Sequence, residues 1–415
     1  MNTLFVSNEY PFPARNGVTL PLSNHAKLFR EHCGPVDLLI LRKESGSDDS
    51  EHRQANDVFF ENVFELPIKS KGFANRILGQ WTGRSPYFSG WTPAVSPPPE
   101  LASRNYEYVL SSPRAVCETV HNLRLNKHIN AKFHVAVVHD IATLAKKNLT
   151  ATSLKSGKSF KHLSHALKLS SQRLGLARVE KKLLTECCDL FAVQSEAEMN
   201  WVRSQNSPAL EKNAIQLSNG VDDEFFEVPL KKPELTCTFV GGISGEYLKR
   251  ARWLVDEVWR PIQSSFPKSK FTISGKCQNE EMLKLFAKQN VNHRQFVEDP
   301  RDLFSDQSVL LAPIFKGYGL INKVVQSLAA GTIVIGDPTA FNAIPGFQAG
   351  KHGIVADSPS EFVRLLTQVF ERPEQFEEIR TAARQLMVDH FQWETRYQEL
   401  QSRLQSLAYL KAERG

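Results

Sequence analysis

The chain has 415 residues, a formal net charge of +6, 41% hydrophobic residues and 23% charged residues, a balance that excludes a disordered or fibrous chain. A single core stops growing near about 250–300 residues, so two domains are expected. Six cysteines (Cys33, Cys117, Cys187, Cys188, Cys237 and Cys277) form no C-x-x-C pair and no zinc-spaced cluster, which predicts reduced thiols and a cytoplasmic protein without a secretory leader.

Along the first half, short β-rich runs alternate with helical stretches. Strands are predicted at Thr3–Ser7, Val36–Leu41, Tyr108–Leu110, Phe133–Val138, Leu190–Val193 and Ala214–Leu217. Several are continuous apolar runs, as in strands buried on both faces of a parallel sheet. Trp91–Pro99, with three consecutive prolines, predicts a surface loop or linker. Phe160, Leu163, Leu167 and Leu174 share one helical face.

The segment 145–182 carries ten Lys or Arg against one acid, Glu180. A cationic helix face of this kind is attracted to an anionic membrane leaflet. No run of 18 apolar residues occurs in the chain, so no spanning helix is expected. No aromatic-interleaved basic patch marks a nucleic-acid partner.

The second half repeats the alternation. Strands are predicted at Thr236–Val240, Lys270–Ser274, Val309–Ala312, Ile333–Ile335 and Gly353–Val355, with helices at Arg252–Ser264, Asn279–Lys288, Lys323–Ala330, Pro359–Phe370 and Pro373–Asp389. The fold class is therefore α/β, with two Rossmann-like, doubly wound domains, residues 1–218 and 219–390, facing each other across a cleft. The hinge falls in Asn219–Pro233, and the tail, 391–415, is expected to pack back on the first domain.

Two features of the first half face the strand ends where ligands bind. The loop after Thr3–Ser7 is broken by Pro11 and Pro13 and carries Gly17, which lets backbone N–H groups meet an anion. His139 follows the apolar run Phe133–Val138, where an imidazole can hydrogen-bond a sugar hydroxyl or phosphate, or act as a base.

Gln216-Leu-Ser-Asn-Gly-Val-Asp-Asp-Glu-Phe-Phe226 resembles the "pNGVD…F" signature of glycosyltransferase family 4, with Ser218 where that family has proline. The resemblance continues through Phe239-Val-Gly241-Gly242-Ile-Ser244, Phe271-Thr-Ile-Ser-Gly275, Val297-Glu298-Asp299-Pro300, Pro313-Ile-Phe-Lys-Gly317-Tyr318-Gly319-Leu320-Ile321-Asn322-Lys323 and Gln326-Ser-Leu-Ala-Ala-Gly331. It covers Thr236–Trp393 and patches of the first half. It implies the GT-B fold and a transferase that moves a sugar from a nucleotide-sugar donor to a glycan or lipid-linked acceptor, with retention, in cell-surface polysaccharide or glycoconjugate synthesis.

On this likeness the Gly241–Ser244 loop lies beneath the donor diphosphate, Val297 and Glu298 hold the base, and the stretch from Gly317 to Asn322 lies beside the phosphates. A lysine in the first turn of a helix opposes the macrodipole, so Lys323 is better explained by a ligand anion; Lys249 and Arg250 are candidates for a second cation. The family's two glutamates, with seven residues between them, fall at about Tyr318 and at Gln326. Gln326 can accept from a ribose hydroxyl only without charge assistance. No Asp-x-Asp-like carboxylate pair lies in a suitable context, so no metal and no cofactor are expected. Catalysis would rest on His139 and Lys323, and the enzyme would be peripheral on the inner membrane face. Two other readings stay open: a different GT-B activity (an inverting transferase or sugar-nucleotide epimerase) and a non-catalytic binding scaffold.

Overall fold

The computed structural model describes residues 2–14, 18–43, 50–70, 91–138, 141, 143–144, 176–232, 234–305, 307–315 and 319–412. The chain divides into two compact units, Met1–Ser218 with Glu399–Gly415, and Asn219–Gln398.

The first unit is built on β1 (Thr3–Ser7), β2 (Val36–Lys43), β3 (Val63–Ser70), β4 (Trp91–Pro93), β5 (Asn105–Ser112), β6 (Asn130–Val138), β7 (Leu190–Val193) and β8 (Ala214–Gln216). They form one sheet in the order β4-β3-β2-β1-β5-β6-β7-β8. Every pairing is parallel except β3 with β4. Trp91–Pro93, expected as loop, is thus an antiparallel edge strand. A proline and short length are tolerated there because an edge leaves some ladder groups unpaired in any case. The strands β1 and β7 are buried along their whole length, which accounts for their unbroken apolar runs. Residues 176–186 are helical, whereas the rest of the predicted basic helix, 145–175, lies outside the described residues.

The second unit has β9 (Thr236–Val240), β10 (Lys270–Ser274), β11 (Val291–Arg294), β12 (Val309–Ala312), β13 (Ile333–Gly336) and β14 (Ile354–Val355). All are parallel, in the order β11-β10-β9-β12-β13-β14. The order reverses between β9 and β12, which makes their carboxyl ends the topological switch point. One core packs Phe239, Phe271, Ile273, Leu311 and Ile335 against Trp259, Phe362 and Leu366. A second, on the other face, packs Leu310 and Val334 against Val325, Leu328 and Met387.

The helix Trp393–Ala412 straddles the division of the chain. Its start belongs to the second unit, where the Trp393 indole donates to Asp222 at 2.9 Å and packs on Gly220. Its end groups with the first unit, where Leu400 and Leu404 are buried and Arg403 donates to the Lys212 carbonyl. Among the described residues no helix is long and apolar enough to cross a membrane.

Candidate functional site

Backbone bonds lace together the carboxyl ends of β9, β10 and β11. The Gly241 N–H donates to the Ser274 carbonyl at 2.9 Å, Ile243 to Lys276 at 2.8 Å and Gly275 to Arg294 at 2.8 Å. The Gln295 side chain closes the seam, accepting from the Cys277 N–H and donating to the Cys277 carbonyl, both at 3.1 Å. Side chains are excluded at two points. At Gly275, φ is +142° and an added Cβ would lie 2.1 Å from the Gly241 oxygen; at Gly241, φ is +152° and a Cβ would fall 2.5 Å from the Tyr247 ring. The close approach of two loop backbones therefore demands glycine.

Two helices begin at this end of the sheet, Gly245–Trp253 and Asn322–Ala329, and neither is capped by a side chain. Their first N–H groups lack intrahelical partners and, with the helix dipole, favour an anion. Lys323 sits in the first turn of the second helix. Its Nζ donates to the Val240 carbonyl and lies 4.2 Å from the Tyr247 ring centroid and 5.1 Å from that of Phe239. The guanidinium of buried Arg250 lies 5.0 Å from the same tyrosine ring. Among the described residues no carboxylate pairs with Lys323. Burial, reinforced by the charge of Arg250, brings the Lys323 ammonium down from 10.5 to about 7. Two basic side chains are thus held against one aromatic ring, and Lys323 has no carboxylate beside it among the described residues.

The loop after β12 is held by Asp337, itself buried. One carboxylate oxygen accepts from the N–H groups of Ile314 and Phe315 at 2.5 and 3.0 Å, and the other from Thr339 at 3.1 Å. Phe315 has φ +53°, a conformation uncommon outside glycine, and its ring meets the edge of Trp253 with centroids 5.0 Å apart.

The predicted residues separate into groups. Gly241, Gly242, Ser244, Arg250 and Lys323 gather at the β9 end. Gly319, Leu320 and Ile321 lead into the Asn322 helix and are half-buried. Asn322 accepts from the Asn219 side chain at 3.3 Å, and Gln326 follows Lys323 by nearly one turn. Val297 is half-buried and Glu298 exposed on the loop after β11. Lys249 leaves the site: it is 71% exposed and paired with Glu246 at 2.6 Å, because neighbouring helix residues point about 100° apart. Gly17, His139, Gly317 and Tyr318 lie outside the described residues. Tyr247, Gln295 and Asp337 were not among the predicted residues. Of the three only Asp337 carries a local signal, an Asp-Pro step at a strand end.

Residues 234–372 match the family model of glycosyl transferases group 1. No curated protein matches the chain in sequence. Three-dimensional likeness is broad. Anabaena HepE, solved with UDP and glucose, has a TM-score of 0.63 at 12% identity, over 98% of this chain and 100% of that one. Sucrose-phosphate synthase from Thermosynechococcus elongatus has a TM-score of 0.62 at 13% identity, over 99% of both chains. A variant of S. aureus TarM, solved with fondaparinux, α-GlcNAc-glycerol and UDP, has a TM-score of 0.64 at 10% identity, over 97% of this chain and 100% of that one. These likenesses carry the fold, and the family match identifies the domain within the second unit. The chain is a glycosyltransferase of GT-B fold, with a glycosyl transferases group 1 domain over residues 234–372.

Proposed function

We propose that the enzyme takes a sugar from a nucleotide-sugar and passes it to a hydroxyl of a glycan or lipid-linked acceptor, in the building of a cell-surface polysaccharide or glycoconjugate. The donor diphosphate would lie over the Gly241–Ser244 loop, with Lys323 and Arg250 as its cations. The observation that carries this reading is the Lys323 ammonium, held on the Tyr247 ring beside Arg250 without a carboxylate partner among the described residues.

Breaking the bond between the anomeric carbon and the diphosphate leaves negative charge on the phosphate oxygen. Lys323, Arg250 and the helix-end N–H groups beside that loop would stabilise the departing group as fixed positive charge and dipoles. The acceptor oxygen forms the new bond to the anomeric carbon as the bond to the diphosphate breaks, and its proton passes to the departing diphosphate oxygen or to solvent. The UDP and sugar ligands of solved GT-B structures support a uridine donor. Calorimetric titration of UDP-, GDP-, dTDP- and CMP-sugars tests the reading. One of them binds, and Lys323→Ala weakens it by about tenfold or more; binding of none, or an unchanged affinity in the variant, overturns it.

Retention and metal independence belong to the same proposal. Two protein cations can carry diphosphate charge that a metal would otherwise carry, so transfer should persist in a chelator. NMR of the product should show the donor's anomeric configuration; an inverted product or abolition by chelator sinks the respective part. Attraction of segment 145–182 to anionic lipid predicts liposome flotation that salt weakens, and flotation indifferent to salt counts against it.

A further inference from the structure

The second sheet carries a feature that donor binding does not use. A parallel sheet in a doubly wound domain is normally apolar on both faces. Here β12 and β13 satisfy that rule, but β10 and β11 do so on one face only, and β9 adds just Val240 at its carboxyl end on the other. Cys237, Phe239, Phe271, Ile273 and Val291 point into one core. Residues alternate along a strand and pair with same-face neighbours across it. The other face therefore presents Thr236, Thr238, Lys270, Thr272, Asn292 and Arg294, as the pairings Thr236↔Lys270, Thr238↔Thr272 and Thr272↔Asn292 require.

This face opens on a groove of about 730 Å³ in the second unit, within the range of small-ligand sites. Its walls come from the segments around Lys232 and Phe304. Thr236, Thr272 and Thr332 lie buried among its lining residues. Lys232, Lys270 and Arg294 line it without an ion-pair partner among the described residues, and Glu234 is the one acid in the lining. Arg380 also lines it but is already spent on Glu377, at 2.9 and 3.1 Å, and on the Gly331 carbonyl. Under the same face the Thr238 hydroxyl is fully buried and has no hydrogen-bond partner, although buried polar atoms normally find one.

Lys270 opens β10, whereas Arg294 closes β11, beside Ser274. The backbone positions of the two residues are thus offset by about 13 Å along the strands at ~3.3 Å per residue, a spacing that suits a ligand with separated negative charges better than one small monovalent anion. The lining offers hydroxyls, amides and separated positive charges, with no exposed aromatic platform of the kind that stacks nucleic-acid bases. We propose that this groove is a second saccharide site, which takes an acidic oligosaccharide or sugar phosphate bearing at least two separated negative charges. It does not rest on the donor reading, since its residues are distinct from Gly241, Arg250 and Lys323.

Calorimetry on the full chain, with and without UDP, tests it with three probes: a uronate-containing tetrasaccharide, a neutral tetrasaccharide and a hexose bisphosphate. At least one acidic probe binds in both conditions, more weakly as salt rises from about 50 to about 300 mM, and the neutral probe does not bind. Which acidic probe binds identifies carboxylate or phosphate as the recognised group. The combined variant Lys232→Gln, Lys270→Gln and Arg294→Gln loses that binding by about tenfold or more while melting as the parent does; should it not fold, Lys270→Gln and Arg294→Gln singly each weaken it. Equal binding of the neutral probe, no binding of either acidic probe, displacement by UDP, or unchanged affinity in the folded variants overturns the proposal.

Discussion

Lys323 ties the chemistry of the candidate site to pH. Its folded value of about 7 lies below the ordinary 10.5. Between these values the unfolded chain binds a proton that the native protein does not, so this residue lowers stability as pH falls from 10.5 towards 7 and has no further effect below. A diphosphate reverses the preference by stabilising the ammonium form. Binding above pH 7 must then take up a proton. The affinity for a nucleotide-sugar should be flat below about pH 7 and fall above it, by at most about tenfold per unit. A diester such as UDP-glucose suits the measurement because its diphosphate does not titrate in this window. Lys323→Arg keeps the charge at every accessible pH and should flatten the profile. Calorimetry from pH 6 to 8.5 checks both; a flat parent profile, or the same slope in the arginine variant, contradicts this role.

At the level of elements, legibility followed burial. Thr3–Ser7, Leu190–Val193, Thr236–Val240, Lys270–Ser274 and Val309–Ala312 match the observed strands residue for residue, because a Gly, Pro or polar residue follows each of these short apolar or alternating runs. The strand β11 was missed because Val291-Asn-His-Arg holds one apolar residue, as an edge strand can. The strand β3 was missed because Pro67 interrupts it; the Pro67 carbonyl still accepts from Ala94 at 2.8 Å across the β3–β4 pairing. Glycines and cations of the candidate site could be read from the chain, whereas Tyr247, which brings Lys323 and Arg250 onto one ring, could not, since that meeting is tertiary. The β12 loop makes an element-scale prediction. Asp337→Ala leaves the buried Ile314 N–H and the neighbouring Phe315 N–H without their acceptor, at about 1–3 kcal/mol for a buried donor. The melting temperature and the nucleotide-sugar affinity should both fall. Asp337→Asn retains an oxygen at that position and should lose less of each; equal losses in the two variants would mean that charge, and not the acceptor, shapes the loop.

For the whole molecule, the last helix makes the first unit depend on residues that follow the second in the chain. Glu399–Gly415 groups with Met1–Ser218, and Leu400 and Leu404 are buried there at 0% and 3% exposure. Burying two leucine side chains stabilises by roughly 3–6 kcal/mol, a large share of a domain's net stability. The second unit, by contrast, keeps Trp393 on Gly220 and Asp222 when the chain stops at Gln398. A chain ending at Gln398 should therefore lose stability in its first unit and keep the candidate donor residues of its second. In scanning calorimetry the transition that moves to lower temperature on truncation should differ from the one that a bound nucleotide-sugar raises, with donor affinity unchanged. If truncation lowers the ligand-sensitive transition as much as the other, the tail stabilises both units and this division of labour is wrong.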